Sequence, residues 1–291
     1  MKILVTGGRG YVGTRLADAL KKKGHSVKTL GIEKDSDFVA DITDFGKISK
    51  AVKGFDAIIH LAALIGVKES REQPTRYFMT NSIGTLNMLE AARMNGIKKM
   101  VFASSLTVYG EPEHLPVDEN HPLKPLSPYG YSKVVAEDFC RAYSELYGMT
   151  IVIARLANLY GPGQSGDLFM PTVLSQLKKE KITIRSLDFK LDYMYIDDVV
   201  SALTACLEYG KSDVFNFSAG RSVSGKEIID ALSKIVGRTL VVETTNPKKE
   251  KEITLDIRKA KKILDWEPKI GIEEGLRKSI GHNICENELI T

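Results

Sequence analysis

The fold is decided by the stretch Ile3-Leu4-Val5-Thr6-Gly7-Gly8-Arg9-Gly10-Tyr11-Val12-Gly13 of the 291-residue chain. Its three branched aliphatic residues predict a short buried strand. The glycines at positions 8, 10 and 13 have the spacing G-x-G-x-x-G, in which the first glycine, Gly8, is expected to permit the tight turn. Apolar residues then recur at helical spacing through Leu16 and Leu20. A strand, a glycine turn and a helix in this order predict that N–H groups at the helix N-terminus bind a pyrophosphate.

Short apolar strands continue to alternate with amphipathic helices along the first half of the chain. Strands are predicted at 27–30, 57–59, 100–103 and 150–153, and helices around 86–92 and 132–147. This alternation predicts an α/β fold with a doubly wound parallel sheet, covered on both faces. Ligands are then expected outside the carboxyl ends of the strands.

A second region is expected after Asn158, where the pattern loosens into the glycine-rich loop 161–166. It contains helices predicted near 171–179, 199–207 and 224–236, the last with Ser224 as N-cap and Glu227 completing a capping box. We therefore predict a dinucleotide-binding domain over 1–157, with a return segment near 192–216. A smaller, mostly C-terminal substrate lobe would comprise 158–191 and 217–291.

Composition narrows the class of protein. The 41 basic and 37 acidic side chains leave a net charge of +4 that is spread along the chain, so a nucleic-acid partner is not expected. Cys140, Cys206 and Cys285 form no pairing or zinc-knuckle pattern, which favours a reducing, cytoplasmic compartment. No apolar run approaches the roughly 18 residues of a membrane span. The five histidines have no ligand spacing, so no metal is expected.

The nicotinamide cofactor is either NAD or NADP. The residue that ends the second predicted strand, where a carboxylate selects NAD, is Gly31. Glu33 lies about 20 residues beyond the glycine turn and could bind the ribose instead. Arg9 and Lys34 are close enough to bind an additional phosphate. We favour NAD and leave NADP open.

Tyr129 and Lys133 are four residues apart and therefore share one face of a helix. A phenol is a poor base at neutral pH, and a neighbouring ammonium group favours its phenolate form. Ser105 follows the strand at 100–103, where its hydroxyl could hydrogen-bond to the same substrate oxygen. Together they could remove a proton from a substrate hydroxyl while hydride leaves for the cofactor. Tyr-x-x-x-Lys alone is also typical of an ordinary helix surface.

Taken together, these motifs make the chain resemble the extended short-chain dehydrogenase/reductases, in the nucleotide-sugar epimerase/dehydratase family. The matching segments span nearly the whole chain in order: Thr6–Gly13, Asp41–Ile42, His60–Ala63, Asn81, Ser104–Gly110, Tyr129–Lys133, Arg155–Asn158, Tyr160–Pro162, Asp192–Tyr193, Asp197–Asp198 and Asp256–Pro268. The resemblance implies a Rossmann sheet with a smaller substrate lobe, and a homodimer formed through two helices of each subunit.

The resemblance also implies the roles of individual residues. Ser105, Tyr129 and Lys133 would be catalytic. With the glycine turn and Glu33 included, the expected cofactor-binding residues are Gly7, Gly8, Arg9, Gly10, Tyr11, Val12, Gly13, Glu33, Asp41, Ile42, Leu61, Ala62, Ala63, Asn81, Tyr129 and Lys133. The expected substrate-binding residues are Ser105, Thr107, Asn158, Arg185 and Lys249.

Leu106 and Thr107 stand where dehydratases of this kind carry an acidic pair, which disfavours dehydration and decarboxylation. We therefore expect NAD-dependent 4-epimerisation of a nucleotide sugar of the UDP-glucose/UDP-galactose type. Leu191 replaces one family arginine, and Lys248 or Lys249 replaces another, which weakens the argument for a UDP-sugar in particular. Two alternatives stay open: a reductase or dehydrogenase with net hydride transfer, which Gly31 and Arg9 favour, and a non-catalytic dinucleotide-binding regulatory protein.

Overall fold

The computed structural model describes residues 1–166, 168–245 and 252–283. Its strands are β1 (Lys2–Thr6), β2 (Ser26–Gly31), β3 (Phe38–Val39), β4 (Ala57–His60), β5 (Lys99–Ser105), β6 (Thr150–Leu156), β7 (Asn158–Tyr160), β8 (Lys181–Ile184), β9 (Lys190–Tyr195), β10 (Asp213–Phe217), β11 (Ser222–Ser224), β12 (Val241–Thr244) and β13 (Glu252–Ile253). Its α-helices are α1 (Tyr11–Lys22), α2 (Phe45–Ala51), α3 (Val67–Glu72), α4 (Pro74–Tyr77), α5 (Gly84–Met94), α6 (Pro128–Tyr147), α7 (Phe169–Leu174), α8 (Ile196–Glu208), α9 (Gly225–Val236), α10 (Arg258–Leu264) and α11 (Ile272–Asn283). A π-helical segment covers Phe78–Ile83, and a 3₁₀ turn covers Leu106–Val108.

The main sheet has seven parallel strands in the order β10-β6-β5-β4-β1-β2-β3. The chain builds one side of β1 with β2 and β3, then returns to the other side with β4, β5 and β6. The order therefore reverses between β1 and β4, and a crevice opens at their carboxyl ends, beside Thr6 and His60. The predicted doubly wound parallel sheet is confirmed.

The two faces of this sheet bury separate apolar clusters, because side chains alternate along each strand. Ile3 and Val5 of β1 pack with Leu16 of α1 and with residues of α8. Leu4 points the opposite way and packs with Leu89 of α5. These β1 side chains are fully buried, and each contributes on the order of 1.5–3 kcal/mol through removal from water. The covered faces explain why the central strands are continuously apolar.

The second region forms two smaller sheets. One joins β11, β9 and β13, with β7 also paired to β9, and the other joins β12 to β8. Ser224 and Glu227 form the predicted capping box at the start of α9. Helix α8 and strand β10 return to the large unit: α8 shares the apolar cluster of α1, and β10 pairs with β6.

Among the described helices, none combines the length and apolar character that crossing a bilayer requires.

The helix predicted over 171–179 is shorter than expected and ends at Leu174. The Gln176 side chain explains the early end, since it donates to the Thr172 carbonyl and exchanges two hydrogen bonds with the backbone of Thr183. Side-chain bonds of this kind compete with the helical pattern. They turn the chain into β8 instead.

Candidate active site

The glycine turn after β1 differs in one detail from the sequence-based expectation. The left-handed backbone is at Gly7, with φ of +63°, so Gly7 rather than Gly8 permits the tight turn. A Cβ at Gly7 would lie 3.0 Å from the backbone nitrogen of Ala62, and one at Gly8 would lie 2.5 Å from Cγ2 of Thr29. Gly8 is therefore required for close packing on β2, not for the turn.

The start of α1 fits a pyrophosphate. Gly10 is the N-cap and supplies no capping side chain, which leaves the first-turn N–H groups of Tyr11, Val12 and Gly13 for an anion. A Cβ at Gly13 would come within 2.1 Å of the Gly7 carbonyl oxygen, so only glycine lets the helix start this close to the turn. The turn and the helix N-terminus together form a cradle of backbone amides.

A carboxylate lies at the end of β2, although the last residue of the strand is Gly31. Oε2 of Glu33 lies 2.3 Å from the place that a Cβ on Gly31 would take, so the carboxylate folds back over Gly31. The hydroxyl of Ser36 is buried in the same place and has no hydrogen-bond partner in the structure. Gly31 is thus what allows Glu33 to reach the position expected of a ribose-binding carboxylate.

Arg9 is not available for an additional phosphate in the way the sequence suggested. Its Nε donates to the Asp35 carbonyl at 2.9 Å and lies 3.2 Å from the Asp35 carboxylate. Asp41 is exposed and accepts from the backbone and hydroxyl of Thr43, and Ile42 packs beside Gly84. The carboxylates of Glu33 and Asp35 make this end of the crevice unfavourable for a 2′-phosphate.

A chain of buried hydrogen bonds crosses the crevice floor. Thr6 Oγ1 accepts from the amides of Leu61 and Ala62, so its proton is donated to Nδ1 of His60 at 2.7 Å. Nε2 of His60 then donates to Thr85 Oγ1 at 3.1 Å. Burial lowers the pKa of His60 to about 3, with the Lys133 charge acting in the same direction. His60 is therefore neutral and holds the loop at 61–63, where the sequence places cofactor contacts.

Asn81 lies in the π-helical segment, and its side chain is engaged within the protein. Oδ1 accepts from the Leu64 amide at 2.8 Å, and Nδ2 donates to the Leu64 carbonyl and to Oγ of Ser132, both at 3.0 Å. The Ser132 hydroxyl in turn donates to the Tyr129 carbonyl at 2.7 Å. Asn81 thus ties the loop after β4 to the first turn of α6.

The predicted catalytic hydroxyls meet where β5 ends and α6 begins. Ser127 caps α6 by accepting from the Gly130 amide, so Tyr129 lies in the first turn. Burial raises its pKa, and the nearby Ser105 hydroxyl acts in the opposite direction. Tyr77 packs edge-on against the Tyr129 ring, with centroids 6.3 Å apart. The serine and the phenol are therefore neighbours in this corner.

Lys133 lies one turn further along α6 and is only 4% exposed. Its Nζ donates to the Ala103 carbonyl at 2.8 Å and lies 4.9 Å from the centroid of the Phe102 ring. Burial lowers the pKa of Lys133 to about 8, whereas Cys140 and Glu137 act to raise it. The amine thus sits at the end of the same strand that carries the serine.

The 3₁₀ turn after Ser105 brings no carboxylate into this corner. Thr107 donates to Oγ of Ser105 from its hydroxyl at 3.0 Å and from its amide at 3.2 Å, and Leu106 is buried. With both bonds accepted from Thr107, the Ser105 hydroxyl proton is directed elsewhere, towards the phenol or a ligand.

The residues predicted on the substrate side are less tightly held. Asn158 begins β7 and donates to the Asp192 carbonyl at 3.0 Å, beside Leu191. Arg185 follows β8, in the two-stranded sheet, with its side chain on the surface. Lys249 lies outside the described residues. The structure joins Ser105 to Thr107 by hydrogen bonds and places Tyr129 and Lys133 next to them on α6, whereas Asn158 and Arg185 come from other elements.

Sequence reasoning missed Glu137, a fully buried carboxylate one turn beyond Lys133 that accepts a hydrogen bond from Ser104 at 2.6 Å. A signal was present, because a glutamate between Ala136 and Cys140 interrupts the apolar face of α6.

Comparison with known proteins agrees with this geometry. Residues 3–218 match the family described as "NAD dependent epimerase/dehydratase family". The chain is similar to the UDP-glucuronate 4-epimerase of Thermodesulfobacterium geofontis, at 33% identity over 99% of this chain and 97% of that protein. It is also similar to the UDP-glucose 4-epimerase of Mycolicibacterium smegmatis, at 33% identity over 96% of this chain and 97% of that protein.

A solved structure agrees in fold along the whole length. The UDP-glucose 4-epimerase of Thermotoga maritima, crystallised with UDP-glucose, superposes with a TM-score of 0.89 at 30% identity and covers 97% of this chain and 98% of its own. The Gly7–Gly13 turn and the Ser105, Tyr129 and Lys133 corner lie within the matched family region. The chain belongs to the NAD-dependent epimerase/dehydratase family.

Proposed function

We propose that this protein is an NAD-dependent nucleotide-sugar 4-epimerase that interconverts substrates of the UDP-glucose/UDP-galactose type. The observation that carries the proposal is the meeting of Ser105, at the end of β5, with Tyr129, in the first turn of α6, with Lys133 one turn further along and bound to the Ala103 carbonyl of the same strand at 2.8 Å. A serine, a phenol and an amine in this arrangement fit reversible oxidation of a secondary alcohol. The names of the relatives and of the solved structure support the choice of a UDP-sugar.

NAD fits the residues around the crevice. The backbone amides at the start of α1 would hold its pyrophosphate, and Glu33 would bind the adenosine ribose. The pairing of Arg9 with Asp35 favours NAD over NADP, since one of the two cations that could meet a 2′-phosphate is already neutralised. A bound NAD would supply reversible acceptance of the hydride from C4 of the sugar.

Tyr129 is proposed as the acid–base group. Its phenolate would take the proton of the sugar 4-hydroxyl as the C4–H bond breaks, and return it when the hydrogen is restored on the opposite face. Ser105 would hold the same oxygen through a hydrogen bond. Lys133 would favour the phenolate by its charge and hold the nicotinamide ribose.

The corner favours epimerisation over elimination of water. Dehydration needs a further acid and base next to the serine, and Leu106 and Thr107 occupy those positions. The same positions argue against decarboxylation. Net reduction, the alternative open from the sequence, drew support from Arg9 and Gly31, and both are accounted for by the Glu33 and Asp35 contacts.

We propose that residues 1–157 with the return segment 192–216 bind NAD, and that 158–191 with 217–291 bind the sugar nucleotide. Asn158, Arg185 and Lys249 are the proposed substrate contacts.

We also propose a homodimer, since Met94 and Leu146, on the neighbouring helices α5 and α6, are 60% and 72% exposed. Free thiols at Cys140 and Cys206 fit a cytoplasmic location.

The test is a product analysis. NAD-loaded protein is incubated separately with UDP-glucose, UDP-galactose and UDP-glucuronate, and the nucleotide sugars are separated afterwards. The proposal expects UDP-glucose and UDP-galactose to reach one common mixture with no lasting formation of reduced cofactor. Conversion of UDP-glucuronate alone would move the assignment to that sugar. Stoichiometric reduced cofactor, or no conversion of any of the three, would contradict it.

The proposed homodimer is tested separately, by light scattering of the same sample, which measures the mass of the particle in solution.

A further inference from the structure

Helix α6 is fastened to the end of β5 by two consecutive turns beyond the catalytic tyrosine. Nζ of Lys133 donates to the Ala103 carbonyl at 2.8 Å. One turn later, Oγ of Ser104 donates to Oε1 of Glu137 at 2.6 Å. Positions 129, 133 and 137 share one helix face, so the two contacts lie in one row with Tyr129, which is next to Ser105. The register of the helix on the strand decides whether the catalytic hydroxyls meet.

The carboxylate of Glu137 is completely buried and fully hydrogen-bonded. Oε1 also accepts from Nε of Arg155 at 3.0 Å, and Oε2 accepts from Nη2 of Arg155 and of Arg141, each at 2.7 Å. Arg155 is 2% exposed. A buried carboxylate with four donors holds one geometry, because any displacement leaves charged groups unpaired and out of water.

Arg155 extends the contact into the neighbouring strands. Its Cα is the register partner of Ser104, and its Nη1 donates to the Tyr109 hydroxyl at 2.9 Å. That hydroxyl donates to Oδ1 of Asn216 on β10 at 2.6 Å. The carboxylate of Glu137 therefore joins α6 to three adjacent strands, β5, β6 and β10.

We propose that Glu137 is a positioning residue for the reaction, which acts through Ser104 and Arg155 to hold Tyr129 against Ser105 and to provide the anion next to Lys133. The inference rests on the proposed function, which assigns the chemistry to Tyr129. It adds a residue that touches neither substrate nor cofactor.

The surroundings of Lys133 show why this anion matters. His60 faces it from β4 and is neutral, since burial lowers the pKa of the imidazole to about 3. Cys140 faces it from α6, and burial raises the pKa of its thiol, so it is neutral too. Burial lowers the pKa of Lys133 itself to about 8. Glu137 is thus the charged group among these neighbours that favours the ammonium form.

Two neutral side chains are next to the phenol of Tyr129. Ser105 approaches it from β5, and Tyr77 packs on it from α4 with a pKa raised to about 12, mainly by burial. A charged Lys133 is therefore the group expected to favour the phenolate. Loss of the Glu137 charge would act on Tyr129 through Lys133.

The experiment replaces Glu137 by glutamine, which retains the size of the side chain and an acceptor for Ser104 but removes the charge. We expect kcat of Glu137→Gln to fall about tenfold or more at neutral pH, with the KM of the sugar nucleotide and the Kd of NAD within about threefold of wild type. The pH profile of kcat should narrow: its acidic limb moves to higher pH and its alkaline limb to lower pH. The exposed Glu145 on the same helix supplies the matched control, Glu145→Gln.

A second measurement does not depend on turnover. The protein is labelled with ¹³C at the tyrosine ζ carbon, and the Tyr129 resonance is identified by its loss in Tyr129→Phe. We expect this resonance to titrate at higher pH in Glu137→Gln than in wild type. An unchanged titration together with an unchanged pH profile would overturn the proposal. A shifted titration in a protein without epimerase activity would overturn the proposed function and leave the positioning role standing.

Ser104→Ala keeps the negative charge of Glu137 and removes only the hydrogen bond that joins Glu137 to Ser104 of β5. Its kcat should fall while its KM and pH profile stay as in wild type. If Glu137→Gln does not fold, this variant decides alone: lower kcat supports the proposal, and wild-type kcat overturns it.

Discussion

The crevice floor and the sugar-side rim are built differently. The crevice floor, formed by Thr6, His60, Asn81, Ser105 and Lys133, is buried or half-buried, and its polar groups are bonded to one another or to the backbone. The sugar-side rim, represented by Asn158 and Arg185, belongs to short strands of two smaller sheets and reaches the surface at Arg185. Under the proposed function, this difference predicts that reaction chemistry depends on the buried network and that substrate choice depends on exposed side chains.

The largest effect is expected on the floor. Tyr129→Phe removes the proposed acid–base group and should lower kcat by roughly 10²–10⁴-fold, with NAD still bound. Steady-state kinetics and calorimetric NAD titration measure the two quantities. Tyr131→Phe is the control, because that tyrosine lies two positions along α6 and is 52% exposed. Near-normal turnover of Tyr129→Phe would show that the crevice floor does not supply the acid–base group.

The glycine turn should be the next most sensitive part. A Cβ at Gly13 would approach the Gly7 carbonyl oxygen to 2.1 Å, so Gly13→Ala must displace the turn from α1. We expect NAD affinity to fall about tenfold or more. Gly46→Ala is the matched control, since the nearest atom to its Cβ would be 3.6 Å away. Equal affinity in the two variants would show that the turn does not contact the cofactor.

The floor should also give the protein a pH-dependent stability. The pKa of His60 is about 3 in the folded protein, below its ordinary value of 6.5. As pH falls below 6.5, the unfolded chain binds a proton that the folded chain does not, so the free energy of unfolding decreases until about pH 3. Between pH 7 and pH 5 the loss should be about 2 kcal/mol.

Urea unfolding at those two pH values measures this effect. His60→Gln should show a smaller loss between them, while His114→Gln, at an exposed position, should behave as wild type. Equal losses in wild type and His60→Gln would mean that His60 is protonated in the folded protein.

The smallest effect is expected on the rim. Arg185→Ala should raise the KM of the sugar nucleotide about three- to tenfold with kcat unchanged, because an exposed cation adds uniform binding. Lys226→Ala on α9 is the control for loss of one surface charge. A drop in kcat without a change in KM would contradict the division between floor and rim.

Much of the floor could be predicted from sequence, because short-range patterns determine it. The strand and glycine turn place the crevice, and the four-residue spacing places Tyr129 and Lys133 on one face of α6. The turn glycine was misassigned because Gly7 and Gly8 are adjacent and only the backbone angle distinguishes them. Glu33 could be proposed from its distance to the glycine turn, but only the structure shows that its carboxylate folds back over Gly31.

Long-range pairings were beyond sequence reasoning. Glu137 and Arg155 are 18 residues apart, and their ion pair depends on how α6 crosses β5 and β6. Asn81 was expected to lie near the cofactor, and its bonds to Leu64 and Ser132 follow from the π-helical turn rather than from any local pattern. The arrangement of the sugar-side rim could not be predicted either, because its residues come from separate small sheets. The sequence gives only their residue types.

The proposed function depends most on hydride transfer at C4 beside the Tyr129 phenol. Its most direct test uses UDP-galactose carrying deuterium at C4, converted by the NAD-loaded protein in ordinary water and followed by NMR. We expect UDP-glucose that retains the deuterium at C4, with no lasting reduced cofactor. UDP-glucose that has exchanged the label with water, or unconverted UDP-galactose, would contradict it.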